Sequence, residues 1–432
     1  MLKNKIMNNK KNDDCIINKS NDTYLNFTDD FIKRRIRIIS FLSFLMGFGF
    51  STWGALFNNY SVETLSLNSI EVGMIQSIRE IPGFLGFTLI FILAYIHESK
   101  FVGIVVALAG IGFFLSGFSD VNFTLFLDPL YNLFPTLSPF SINMTIFTFI
   151  MSIGFHYYEA TYTSLIMHTV DREKSAKVFG NIGSFGSLGA VTGLFFTWIS
   201  NTVNLEFRTI YLIIGIVVFI GGLWALFITK KVSRSGKGSK KIELKRKFFR
   251  YYILTFLSGS RRQIFIVFAI FLLVSIHNVK VETIALLMLI NQFISIYIKK
   301  EAGKLIEKFG EQLIMKLDYF ALAILFTGYA FVTNVNLLLV FYIIDGILFS
   351  FSISIKSYMH KISSDSEIRT NVTLGMTINH IAAVVLPFVS GVIWFEFGHS
   401  LVFLIGVLIA LSSFITSLGV SSSIKKYKVK AS

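Results

Sequence analysis

The sequence predicts an all-α membrane protein with twelve transmembrane helices arranged as two six-helix halves. Three observations lead there. Apolar runs of about 20 residues recur along the chain, each long enough as a helix to cross about 30 Å of hydrocarbon. Hydrophobic residues make up 53% of the 432 positions and charged residues only 15%, against about 25% charged in a soluble domain. Between two apolar halves lies Lys230–Arg250, KKVSRSGKGSKKIELKRKFFR, a Gly/Ser/Lys linker whose only acid is Glu243. Backbone groups in lipid must be paired internally, and long uniform apolar runs lack the alternation of a barrel strand, so the spans are helices.

Residues 1–35 are expected to form a cytoplasmic tail. Met1–Asp30 is rich in Asn, Lys and Asp, too polar for a signal peptide and expected to be disordered. The first half, residues 36–229, opens with a span over Ile36–Tyr60, held to the cytoplasm by Lys33, Arg34 and Arg35. Ser69–Tyr95 and Phe101–Gly117 follow, joined by a short charged loop. Asp120–Phe140 carries Pro129, Pro135 and Pro139, which forbid a continuous helix, so it is expected to be an outer loop. Ile142–Val170, Val178–Ser200 and Ile210–Ile228 complete the half and return the chain to the basic linker, 230–250. The second half, 251–421, repeats the plan with Tyr251–His277, Glu282–Ile298, Ile314–Val332, Leu337–Met359, Asn371–Phe395 and Leu401–Val420. Residues 422–432 are left as a second cytoplasmic tail.

Charge tests this topology. The connections assigned to the outside hold only Arg208 and Lys280, whereas the inner connections hold nearly all other loop Lys and Arg. That is the positive-inside asymmetry, and it implies a multi-pass protein of the plasma (inner) membrane with both termini cytoplasmic. It also accounts for the net charge of +15 without nucleic acid: the basic residues face anionic lipid, above all at the linker. One cysteine, Cys15, excludes an intrachain disulfide and a cysteine metal cluster. No catalytic motif is present, so neither an enzyme nor a cofactor is expected.

Six plus six spans around a basic central loop resemble the major facilitator superfamily of secondary transporters. That family carries a cytoplasmic motif, G-x-x-x-D-R-x-G-R, between spans 2 and 3, echoed between spans 8 and 9. Here the echo is Gly303-Lys304-Leu305-Ile306-Glu307-Lys308-Phe309-Gly310, with Glu307 for Asp and Lys308 for Arg, while Glu311 stands where the motif is basic. The first copy, Ala94 to Lys100, has neither the glycine nor the Asp-Arg pair. The resemblance implies a gating role for Gly303, Glu307, Lys308 and Gly310, and a cavity lined by spans 1, 4, 7 and 10.

Charges inside spans are costly and usually face a bundle interior or a wet cavity. Arg79 and Glu80 lie deep in span 2, just before Pro82, either as an internal ion pair or as a substrate contact. His156 and Glu159 stand three apart on one face of span 4, with Thr163 four residues on. They can serve proton coupling, unless Glu159 only neutralises an arginine. Arg261 and Arg262 interrupt span 7; adjacent guanidiniums repel, so at least one should hold an anion or a carboxylate. Asp345 is the lone acid of span 10, as fit to pair with a cation as to bind substrate, and Asn379-His380 are weaker candidates. The glycines of span 5, Gly180, Gly183, Gly186, Gly189 and Gly193, read as a helix-packing stripe.

The reading is a proton-coupled secondary transporter of a small solute with an anionic group, working by alternating access. Arg79, Arg261, Arg262 and Asp345 are the substrate candidates, and Glu159, His156 and Glu80 the proton candidates. The alternatives are an exporter of amphipathic or cationic compounds and a non-transporting scaffold or sensor on the same fold.

Overall fold

The computed structural model describes residues 15–16, 26–27, 29–93, 95–169, 172–229 and 245–427. Linker residues 230–244 and most of the N-terminal tail lie outside them. Within that tail, Cys15–Ile16 pairs antiparallel with Asn26–Phe27; the other elements among the described residues are helices. Helix α1 (Asp29–Asn59) ends in a widened turn at Tyr60–Thr64. Helix α2 (Ser69–Phe84) starts at a capping box: the Asn68 side chain accepts from Ile70 and Glu71, and Glu71 accepts from the Asn68 N–H. Pro82 has no N–H to give, and the helix breaks into a tight turn, Leu85–Thr88, before α3 (Leu89–Ile92). Then come α4 (Glu98–Ser116), α5 (Thr124–Leu133), α6 (Pro139–Thr169), α7 (Arg172–Thr202) and α8 (Phe207–Ile228).

Beyond the linker, α9 (Phe249–Gln263) passes through a π turn, Ile264–Ala269, into α10 (Ile270–Ser275). The chain continues as α11 (Val281–Phe309), α12 (Glu311–Phe331), α13 (Val335–Phe349) and α14 (Ile353–Ile362). It closes with α15 (Asp365–Phe397), α16 (His399–Ser417) and α17 (Val420–Tyr427).

Among the described residues ten helical stretches are long and apolar enough to cross a membrane. Two of the expected twelve fall short. Ser69–Tyr95 is broken after Pro82 and carries Arg79 and Glu80; in α11 only Val281–Ser295 is apolar, and charged residues from Lys299 to Lys308 fill the rest. Two further expectations change. Asp120–Phe140 is not simply a loop: α5 tolerates Pro129, Pro135 lies in the break, and Pro139 begins α6, where a missing N–H costs nothing. Part of the expected C-terminal tail is helical, since α17 runs on to Tyr427.

Packing within residues 29–229 depends on small residues. The glycine stripe of α7 lies on α1, where a Cβ on Gly189 or Gly193 would collide with the carbonyl of Phe44 or Phe48. Thr52 ties the same helices by donating to Phe48 O at 2.9 Å and to Gly193 O at 3.1 Å. Gly180 and Gly183, at the other end of the stripe, meet nothing within 4 Å.

The seam between residues 29–229 and 245–427 sets the position of the site. At one end Asn59 donates to Val279 O at 2.9 Å, and Ala55, Leu194 and Ala285 form an apolar cluster joining α1, α7 and α11. Along α2 and α15, Ser69 donates to Gly391 O at 2.9 Å, Gly73 abuts the Pro387 carbonyl, and the Phe388 N–H donates to Ser77 at 2.9 Å. Pro387 cannot donate at all, so this stretch of α15 takes a partner from across the seam. The contact continues to Glu80, Gly83 and His380. Past Pro82 the segment stays against α6, with Leu89 buried and the Thr88 hydroxyl bonded to that of Tyr157, while a Cβ on Gly86 would meet no described atom within 4 Å and Phe91 and Tyr95 are exposed.

At that second end Glu367, in the first turn of α15, accepts from Lys245 at 2.9 Å, from Lys247 at 2.6 Å and from the Ser364 N–H at 3.0 Å. Burial works to raise the Glu367 carboxyl, but these donors outweigh it and bring it down to about 2. Because the folded value lies below the ordinary one, the clasp stabilises above about pH 4.3 and is lost as pH falls toward 2. Glu367→Gln should lower the melting temperature at pH 7 by the equivalent of about 1 kcal/mol, both lysines being partly in solvent. The difference from the parent should shrink as unfolding is followed down to pH 3.

Candidate functional site

Two charge clusters occupy the middle of the bundle, and the adjacent residues Arg261 and Arg262 belong one to each. The first crosses the seam. Arg79 donates to Glu80 Oε1 at 2.6 Å, the other Glu80 oxygen lies 3.1 Å from His380 Nδ1, and Arg262 Nη2 stands 3.7 Å from it. The His380 ring packs edge-on against His156, with centroids 5.1 Å apart. Gly83 makes this approach possible: a Cβ there would stand 2.5 Å from His380 and 2.8 Å from His156. With neutral imidazoles the formal charges sum to +1, two guanidiniums around one carboxylate. Glu80 holds Arg79 within hydrogen-bond distance but not Arg262, whose Nε and Nη2 have no hydrogen-bond partner among the described residues.

The second cluster lies wholly within residues 245–427. Arg261 reaches Asp318 on α12 through one nitrogen, at 3.0 and 3.3 Å, and stands 3.6 Å from Asp345 on α13. All three are buried, Asp345 at 0% exposure, and neither Asp345 oxygen accepts a hydrogen bond. The formal charges here sum to −1. Arg261 also lies over the Phe349 ring at 5.7 Å.

The α9 helix explains the division. Successive residues project about 100° apart, so neighbouring guanidiniums cannot share one acid. Arg261 turns toward α12 and α13, and Arg262 toward α2. The π turn begins two residues later, and such widened turns are frequent at functional sites.

The structure thus gathers Arg79, Glu80, His156 and Arg262, together with His380, which sequence ranked low. It places Asp345 with Arg261, away from the seam. Glu159 stands apart: it is exposed on α6, its carboxylate has no ion-pair partner among the described residues, and Thr163 donates to its backbone carbonyl rather than to its side chain. Asp318 was missed, because an acid four residues inside the expected start of span 9 reads as an end-of-helix charge.

The Major Facilitator Superfamily pattern matches residues 39–387, most of the chain. The chain belongs to the major facilitator superfamily. No curated protein matches it in sequence. A bacterial homolog of the human lysosomal transporter Spinster, in an inward-facing and occupied conformation, superposes with a TM-score of 0.73 at 12% identity, covering 94% of this chain and 100% of that one. The nucleoside transporter NupG gives 0.67 at 16% identity, covering 91% and 100%, and a bacterial metal transporter 0.63 at 13%, covering 90% and 99%. At such identities the likeness is one of fold. This superfamily member is therefore a multi-pass integral membrane protein with a transporter fold.

The motif echo of this superfamily member lies at the α11–α12 turn. Gly310 has φ +82°, a conformation suited to glycine, and links the two helices directly. Gly303, Glu307 and Lys308 are exposed. Glu311, which departs from the motif, is buried and accepts from Lys361 at 2.6 Å and Ser357 at 2.7 Å. The basic partner that the motif would supply locally comes here from α14.

The two acids of the second cluster should respond differently to neutralisation. Asp318→Asn removes the hydrogen-bonded partner of a buried guanidinium and should cost about 3–5 kcal/mol, whereas Asp345→Asn removes the surplus charge and should cost little or stabilise. Thermal unfolding of the two variants in detergent, read by intrinsic fluorescence, gives the ordering.

Proposed function

We propose that this protein is a secondary active transporter that carries a small solute with an anionic group, coupled to protons, by alternating access. The observation that carries the reading is the seam cluster: a net positive group of two arginines around one carboxylate, with donors on Arg262 still unspent. An anion that engages Arg262 competes with Glu80 for it. A Glu80 released from Arg262 is bonded to His380 alone on that oxygen and can accept a proton, so anion and proton bind together.

Because the cluster joins α2 to α9 and α15, the same event bears on the contact between the two segments. The seam is packed on the Asn59 and Ser69 side of the cluster, whereas on the other side a Cβ at Gly86, Gly180 or Gly183 would meet no described atom within 4 Å. By the distribution of Lys and Arg that second side would be cytoplasmic and the membrane the inner membrane, with its anionic lipids as partners of the basic linker, most of which lies outside the described residues. Gly303, Glu307, Lys308 and Gly310 would then act at the cytoplasmic face, where α11 meets α12. Glu159, exposed and unpaired, keeps a place in this scheme as a proton acceptor at the cavity edge.

Proteoliposomes loaded with a pH-sensitive dye and exposed to a panel of small organic anions test the reading. At least one anion should acidify the lumen in the parent, and the same anion should exchange across Glu80→Gln without moving protons. Anion uptake by the parent with no proton movement would remove the coupling. No anion transported by any preparation would leave a non-transporting scaffold.

A further inference from the structure

Beside the seam cluster lie buried polar atoms that find no hydrogen-bond partner among the described residues. Trp53 on α1 is 1% exposed, and its indole N–H has no acceptor. The same ring stands 5.7 Å from the Arg79 guanidinium. Gln76 on α2 is buried one turn before Arg79 and Glu80, on the face they share, and its Oε1 has no donor. Gln263, next to Arg262, is 1% exposed and has no partner for either its oxygen or its nitrogen.

These three side chains come from three helices and from both sides of the seam. Each buries at least one polar atom that regains no hydrogen bond from the described residues, a cost that proteins seldom carry at several neighbouring positions. None belongs to an ion pair, and the fold does not need their polarity: Trp53 is otherwise packed on Phe50 and Phe57, with ring centroids at 5.9 and 4.9 Å. Together they present donors, the indole and amide N–H groups, and acceptors, two amide oxygens. A hydroxyl group meets both needs, since it donates and accepts at once.

We infer that the site takes a hydroxylated organic anion, its charged group on Arg262 and its hydroxyls on Trp53, Gln76 and Gln263. This rests on the anion-transport reading and adds the chemistry of the solute's body. An alkyl anion of equal charge would leave all three side chains unpaired in the complex, and a site built to bond hydroxyls rejects analogues that lack them.

Matched probes test it on the purified full-length protein. Melting temperatures are measured with gluconate against hexanoate, which share a carbon skeleton, with lactate and glycerate against propionate, and with inorganic phosphate as the bare anion. The inference expects a hydroxy acid to raise the melting temperature and its deoxy partner to leave it unchanged. Gln263→Met should melt at or above the parent temperature without ligand, because it deletes an unpaired buried group at nearly constant volume, whereas Trp53→Phe leaves a small cavity and should melt somewhat lower; both should lose most of the hydroxy-acid shift. Equal shifts from hydroxy and deoxy acids would overturn the inference and leave the anion site standing. No shift from any anion, phosphate included, would overturn both. A folded Gln263→Met or Trp53→Phe with the full shift would also overturn it, and the probe pairs decide on the parent alone if a variant fails to fold.

Discussion

Two guanidiniums on successive residues of a membrane helix must each find an anion, and they cannot find the same one. Much of the middle of this protein follows from that constraint at Arg261 and Arg262. A charge in an apolar interior is tolerable only when paired, and a 100° rotation sends the two side chains to different helices. Arg261 draws in Asp318 and Asp345, tying α9 to α12 and α13 inside one segment. Arg262 reaches Glu80 across the seam, where His380 and His156 close around it. One pair of residues therefore couples the interior of one segment to its contact with the other.

The two arginines differ in whether they hydrogen-bond an acid. Arg261 donates to Asp318 through one nitrogen and has Asp345 close by, although its Nε and Nη2, like those of Arg262, find no hydrogen-bond partner among the described residues. Arg262 has only a carboxylate 3.7 Å away that is already bonded to Arg79 and His380. A hydrogen-bonded buried pair holds a structure together; a longer-range pair can exchange its partner for a ligand. The position of the seam cluster, at the end of the hydrogen-bonded run between α2 and α15, makes such an exchange consequential for the contact between segments.

Much of this was legible in the sequence. Apolar runs gave the helical membrane architecture, and the depth of Arg79, Glu80, Arg261 and Arg262 within such runs marked them as the charges to explain. The stripe in α7 was recognisable from spacing alone, because only small residues at three- and four-residue intervals let α1 come so near. What could not be read was partnership. Asp318 hid near a helix end, where charges are common, yet α12 lies so that this end faces Arg261. His380 looked like an ordinary polar residue until Gly83 let two imidazoles approach over it. Glu159 looked like a cavity acid by its spacing from His156, but His156 turns to His380, leaving Glu159 exposed. Ten of the twelve expected spans coincide with long apolar helices among the described residues, and the other two are those that break or charge up: Pro82 interrupts the second span, and lysines and glutamates take over the second part of α11.

The division of labour between Arg261 and Arg262 is tested most directly by exchanging each for lysine, which keeps the charge and loses the planar fork. Melting temperature with and without a transported anion, measured on both variants, reads stability and binding together. The account predicts that Arg262→Lys melts like the parent and loses most of the anion-induced shift, while Arg261→Lys melts lower and keeps it. An Arg262→Lys protein that responds to the anion like the parent, or an Arg261→Lys protein that is as stable as the parent but no longer responds, would contradict it.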